Sequence, residues 1–158
     1  MEKQITKYLT LAEATSSNTA NKFGIKNIPT ESQYARIKVM AEKVLDPIYD
    51  QFTKPQIGFS SLFRSKALNE KVGGSSTSDH TANKGAAVDL HSNNTDVLTN
   101  AQLFHWVKDN LEYDQMIWEF GNSKEPSWVH IGYRSTGNRN MILVAKKVNG
   151  KTTYVPYK

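Results

Sequence analysis

The sequence predicts an α+β fold: one small domain over residues 1–158, with helices packed on an antiparallel sheet. Three observations lead there. Apolar residues recur at helical spacing in the first third of the chain, and short apolar runs bounded by turn residues fill the last third. Between two of those runs, Asn149-Gly150 is a strong two-residue hairpin signal. A chain of 158 residues buries a core without disulfides and is short for two domains.

In order, Thr10 with Glu13 three positions on forms a capping box for a short helix over residues 10–15. Residues 16–29 read as a surface loop, with Asn18, Asn21, Gly24 and Asn27 as breakers. Thr30 with Gln33 caps the clearest helix. Tyr34, Ile37, Met40, Val44, Ile48 and Phe52 form its apolar face, and Arg36, Lys38, Glu42 and Lys43 its polar one. Pro47 is expected to kink or split it. Residues 55–63 read as a strand and 65–72 as a short helix ended by Gly73-Gly74. A Gly/Ser/Thr stretch leads into His80, residues 86–90 form the next strand, and Ser92-Asn93-Asn94 marks its exit. Thr99 with Gln102 caps a helix carrying Leu103, Phe104, Trp106, Val107 and Leu111. Residues 114–120 and 127–133 are strands around an open loop, and 141–148 and 152–157 flank the Asn149-Gly150 turn.

The net charge of +5 favours a polyanionic partner such as cell wall, nucleic acid or membrane surface. The basic residues are scattered, with no cluster tighter than Lys146-Lys147, so a solvated surface is expected and a nucleic-acid groove is not. There is no cysteine, which removes thiolate metal sites, redox motifs and cysteine nucleophiles. Any metal must be held by His, Asp or Glu. The N-terminal residues carry no long apolar run, and no later run approaches membrane-spanning length. No signal peptide and no membrane insertion are therefore expected, and the protein is read as a monomer made in the cytoplasm.

The residues with chemical potential gather around 78–89. His80 lies on a loop, and Asp89 lies in an apolar strand where a carboxylate needs a compensating partner. His130 follows in the strand Trp128-Val129-His130. Two histidines and one carboxylate are a common zinc ligand set that leaves a position open for water. Strand alternation puts Trp128 and His130 on one side and Ile117 and Glu119 on one side of the partner strand. A hairpin centred near Lys124-Glu125 would set Glu119 roughly opposite His130. Arg64 sits at a strand-to-helix corner where a guanidinium can bind a carboxylate in two-pronged fashion. Each also has a plainer role: a surface or core histidine, a turn-capping Asp89, a solvent-facing Glu119, a surface Arg64. His91 is read as a polar strand-end residue and His105 as structural.

The stretches Leu62-Phe63-Arg64-Ser65-Lys66-Ala67-Leu68-Asn69, Val72-Gly73-Gly74, Ser78-Asp79-His80, Gly85-Ala86-Ala87-Val88-Asp89, Trp118-Glu119-Phe120 and Trp128-Val129-His130 together resemble the M15 zinc peptidases. That family includes D-alanyl-D-alanine carboxypeptidases and phage L-alanyl-D-glutamate endolysins. The resemblance runs from Ile5 to about Tyr133. It implies Zn2+ bound by His80, Asp89 and His130, with Arg64 and Ser78 binding substrate or shaping the site. Two departures stand out. His80 and Gly85 enclose Thr81-Ala82-Asn83-Lys84, two residues more than is usual in the family, which a flexible loop is expected to absorb. Many relatives place an acid three positions before the last histidine as general base, and here that position is Ser127. Glu119 or Glu125 must then serve, and the strand geometry favours Glu119.

The function implied is zinc-dependent hydrolysis of the peptidoglycan stem peptide, as a D,D-carboxypeptidase or L,D-endopeptidase, with Glu119 and Arg64 as catalytic residues. The absent signal peptide suits holin-type release to the wall or a place in a virion. Ser127 motivates the alternative, a non-catalytic wall-binding or virion structural module that keeps the fold.

Overall fold

A computed structural model describes the whole chain, Met1 to Lys158. Its centre is a six-stranded sheet of β1 (Ile57–Ser61), β2 (Gly85–Ser92), β3 (Gln115–Glu119), β4 (Trp128–Arg134), β5 (Met141–Val148) and β6 (Lys151–Pro156). The strand order is β1-β2-β4-β3-β5-β6, and every pairing is antiparallel except β3 with β5. The helices are α1 (Leu11–Ala14), α2 (Asn18–Phe23), α3 (Glu31–Met40), α4 (Asp46–Phe52), α5 (Lys66–Lys71) and α6 (Asn100–Asn110). The α+β class read from the sequence is the one the chain adopts.

Alternation along the strands separates a core face from an open face. Ala86, Val88 and Leu90 of β2, Val129 and Ile131 of β4, and Met116 and Trp118 of β3 belong to the core. They share it with Ile37 and Met40 of α3, Ile48 of α4, and Leu103, Phe104 and Val107 of α6. The residues between them in sequence, Ala87 and Asp89, His130 and Gly132, and Ile117 and Glu119, take the other face. Every residue of β2 from Gly85 to Leu90 is buried, because its second face is roofed by the chain that carries His80.

One local reading is corrected and two are made more specific. Residues 16–29 contain a helix, α2: the Ser17 hydroxyl accepts from the Ala20 N–H, and Gly24 at φ 62° ends it in the left-handed conformation. Just before Pro47 the regular turns of the long helix are interrupted. A π turn over Ala41–Leu45 joins α3 to α4, with the Asp46 N–H reaching back to the Ala41 carbonyl. This wider turn, one residue before the proline, leaves room for a ring that would strike the carbonyl of an ordinary turn, and Met40, Ala41, Val44, Leu45 and Ile48 stay buried throughout. Finally, β5 runs parallel to β3, so the hairpin of β5 and β6 extends the sheet past β3. Its turn residues Asn149 and Gly150 have φ of 51° and 78°, the pattern of a type I′ turn.

Candidate metal centre

The register of β2 against β4 sets Asp89 directly opposite His130, and His130 Nδ1 lies 2.9 Å from Asp89 Oδ1. His80 arrives from the roof, in a single 3-10 turn over Asp79–Thr81. The Ser78 hydroxyl starts that turn by accepting from the His80 N–H at 3.2 Å, and Ala82 in the left-handed conformation ends it. The His80 ring is aimed by its far nitrogen: Nδ1–H donates to the Leu62 carbonyl at 2.7 Å, which turns Nε2 toward Asp89 Oδ2 at 3.2 Å. One ligand atom from each of the three residues lies within 4.8 Å of the others. Donors bound to zinc at about 2.1 Å sit roughly 3.4 Å apart, so the set fits a small dication after slight contraction. Donor chemistry agrees, since two imidazoles and one carboxylate are borderline ligands of the kind zinc takes. Burial would raise the Asp89 carboxyl, but the charge of His80 and the hydrogen bond from His130 outweigh it and hold the group well below the usual carboxylate range. Asp89 is therefore ready as an anionic ligand.

The longer loop after His80 is not the flexible spacer expected. Gln33 of α3 donates to the Thr81 carbonyl and to Asn83 Oδ1, each at 3.1 Å, and Arg36 donates to the Ala82 carbonyl at 2.9 Å. The extra residues are tied to the long helix, and the strand phase from Gly85 to Asp89 is kept.

Glu119 sits on the same face but not where a hairpin centred on Lys124-Glu125 would set it. Ile117 pairs with His130, and Glu119 pairs with Trp128. The turn begins at once after Glu119, because Phe120 and Gly121 both take positive φ, 55° and 67°. That moves the hairpin centre one residue earlier, to Ser123-Lys124, and makes Glu119 a diagonal neighbour of His130. Its carboxyl is only 7% exposed; burial pushes its pKa up to about 7, with His130 opposing and Asp89 reinforcing the rise. Glu125 is engaged elsewhere, accepting from the Ala101 N–H at 2.8 Å in the first turn of α6. Ser127 is exposed, and its carbonyl accepts from Asn100.

Arg64 lies on the β1 side of the ligands. Its Nη2 is 3.9 Å from Asp89 Oδ2, Nε donates to Ser61 Oγ at 3.1 Å, and Nη1 donates to Asn69 Oδ1 at 3.1 Å. Sequence reasoning missed the residues that hold this corner. Buried Asn69 also donates to the Ser75 carbonyl, and buried Asn27 donates to the Thr15 and Phe63 carbonyls while accepting from the Ser65 N–H. Gly74 is the close-approach position: a Cβ there would lie 2.1 Å from Asn69 Oδ1 and 2.9 Å from Arg64 Nη1. Asn69 is fixed at both ends and cannot yield, so Gly74→Ala is expected to displace Arg64. Affinity for a small carboxylate should fall several-fold in a binding titration, with metal affinity unchanged. His91 lies apart, over Gly58, and His105 is exposed with its ring edge-on to Phe104 and Trp118.

Together these residues line one cleft of about 720 Å³, which continues from Arg64 and the ligand set to Glu119 and on to Leu143, Thr152 and Tyr154 of β5 and β6. An ion in it would have a guanidinium toward β1 and a buried carboxylate of near-neutral pKa toward β3, the parts needed to activate water against an acyl group beside an anion. No curated protein matches the chain. A family model described as Peptidase M15 matches residues 7–132, a span that holds Arg64, His80, Asp89, Glu119 and His130 and ends within β4.

Proposed function

The chain belongs to the peptidase M15 family, a family of metal-dependent peptidases, and from that premise we propose that it is a zinc enzyme cutting the stem peptide of peptidoglycan. The observation that carries the reading is a buried carboxylate of near-neutral pKa on the same sheet face as a cluster of two histidines and an aspartate. His80, Asp89 and His130 would hold the ion. Bound there, zinc would supply Lewis acidity toward the scissile carbonyl and acidify the attacking water.

The rest is done by the chain's own side chains. Glu119 accepts a proton from the attacking water on a carboxylate oxygen and returns it to the leaving amine. Its burial excludes competing solvent and raises its basicity together. Arg64, oriented by Ser61 and Asn69, pairs with a carboxylate of the substrate, a group that stem peptides carry at their C-terminus and on D-glutamate. Ser78 shapes the site through the turn that presents His80. The excess positive charge favours adhesion to an anionic wall, reached after holin-type release or from a virion. No helix is long and apolar enough to cross a membrane. The protein acts in this reading as a monomer.

Incubation of zinc-loaded protein with purified sacculi should release new amino groups, and mass spectrometry of the muropeptides should show which stem bond is cut. The control is His80→Ala, which should release none. Absence of release by the loaded wild type would sink the reading in favour of a wall-binding module. Zinc should also raise Tm, by about 5–10 °C at roughly a hundredfold excess over Kd, and Asp89→Ala should remove that shift.

A further inference from the structure

We propose that Lys84, Arg134 and Arg139 form a second carboxylate-binding subsite in the cleft, so that the protein takes peptides with two acidic groups, one at Arg64 and one here. The proposal rests on the peptidase reading for the identity of the ligand. Arg134 and Arg139 lie beyond the residues matched by the family model, which end at 132.

The argument starts from Asp114, which has no solvent exposure. A buried carboxylate needs a cation, and Arg139 supplies it: Nε and Nη2 donate to the two Asp114 oxygens at 3.0 and 2.8 Å, and the Arg139 N–H adds a bond at 3.3 Å. Arg134 is the second cation beside it, held in ion pairs but in no side-chain hydrogen bond. Its Nε lies 3.3 Å from Asp114 Oδ2 without forming a hydrogen bond, and Nη2 is 3.9 Å from Asp79 Oδ1. A guanidinium has five N–H donors in a planar fork, and here it lines a cleft with its side chain 31% exposed and no protein acceptor in hydrogen-bonding geometry. Such a group is under-satisfied in the way an anion receptor must be before its ligand arrives.

Two features hold this end of the cleft open for it. Gly85, paired with Arg134 across β2 and β4, lets the arginine fold over the strand, since a Cβ there would come within 2.8 Å of Arg134 Cγ and 2.4 Å of the Tyr133 carbonyl. The residue before it, exposed Lys84, lines the same cleft and forms no ion pair. Lys84 comes from the stretch between His80 and Gly85 that Gln33 and Arg36 pin to α3. Three cations thus face two carboxylates, Asp79 and Asp114, and the second of these is wholly enclosed. The balance at the surface is positive.

Spacing sets the ligand. Arg134 is four residues from His130 on the same strand face, about 13 Å of strand, while Arg64 lies on the other side of the ligand set. A peptide held at Arg64 would bring a second carboxylate to Arg134 roughly two to four residues further on. Among stem peptides, one whose third residue is a diamino dicarboxylic acid has such a group.

The test is equilibrium binding to zinc-loaded protein of two synthetic stem pentapeptides, in which the C-terminal carboxylate and the side chain of the third residue lie two residues apart. One carries the side-chain carboxylate of that third residue free, and the other carries it amidated. The free acid should bind about tenfold tighter to the wild type. Arg134→Gln and Lys84→Gln should each erode that preference with the amidated affinity and Tm unchanged, and Arg134→Lys should restore part of it. Arg139 is left intact because Asp114 depends on it; Lys84, on an exposed loop, carries the test if Arg134→Gln lowers Tm. Equal affinity for the two peptides, including no measurable binding of either, overturns the proposal. So does a preference unchanged in both variants, or the same residue dependence for a glycerol-phosphate oligomer in place of the peptide. Cleavage assayed in parallel separates the two readings: cleavage without preference removes only the subsite, and preference without cleavage supports the subsite and removes the peptidase reading.

Discussion

Glu119→Gln should slow hydrolysis about 100- to 10,000-fold while zinc affinity is retained. The substitution keeps size and hydrogen-bonding reach and removes the proton acceptor, and Glu125 is committed to the start of α6. The same change should stabilise the ion-free protein. The folded-state pKa of Glu119 is raised from 4.5 to about 7, so folding favours its protonated form. Below pH 4.5 the group is protonated in both states and costs nothing. Between 4.5 and 7 the penalty for burying the carboxylate grows, and above 7 it is complete. Urea unfolding of the ion-free proteins should therefore find the glutamine variant more stable by about 3 kcal/mol at pH 8, with the gap closing toward pH 4.5. Wild-type cleavage rates in the variant would exclude Glu119 as the base, whatever its stability.

Arg139→Ala should destabilise the fold by about 3 kcal/mol, a large effect for a residue half exposed at the surface. The cost lies in what is left behind, since Asp114 is fully enclosed and loses both of its side-chain hydrogen bonds from Arg139. Burial raises the Asp114 carboxyl, but the bonds from Arg139 and the charge of Arg134 outweigh it and set its folded pKa below the ordinary value. The contribution is present above the unfolded pKa and disappears as pH falls through the folded one. The difference between wild type and variant should then be full at pH 7 and shrink toward pH 3, read as urea midpoints. An unchanged midpoint at pH 7 would mean that Arg134 swings in to replace the lost partner.

What could be read from the sequence was what depends on near neighbours. The capping boxes at Thr10, Thr30 and Thr99 bond within three residues, and all three form as read. Strand alternation gave the faces of β3 and β4 correctly, and an acid inside an apolar strand pointed to Asp89 and hence to the cluster with His80 and His130. The rest depends on contacts that no local pattern carries. The hairpin register turned on Phe120 accepting a left-handed conformation that favours glycine, and that one-residue displacement moved Glu119 from opposite His130 to its diagonal. Helix α2 has no apolar stripe to announce it and two asparagines in its six residues, so only its end caps, Ser17 and Gly24, mark it. The buried asparagines 27 and 69 act through backbone carbonyls distant in sequence or in the turn, which leave no periodic signature.

His80 is fastened to the corner below it twice, by its ring to the Leu62 carbonyl and by its own carbonyl to the Arg64 N–H at 2.9 Å. Imidazole and guanidinium therefore ride on one rigid splice of main chain, and the span between the ion's place and the anion's place is a fixed gauge. A shorter cation at 64 would change reach without moving the metal, and no loop motion could widen the gap without also breaking the His80 tether. In the peptidase reading that gauge would set length discrimination at this end, and the far wall, made by Arg134, Arg139 and the last two strands, would be the side on which specificity can vary.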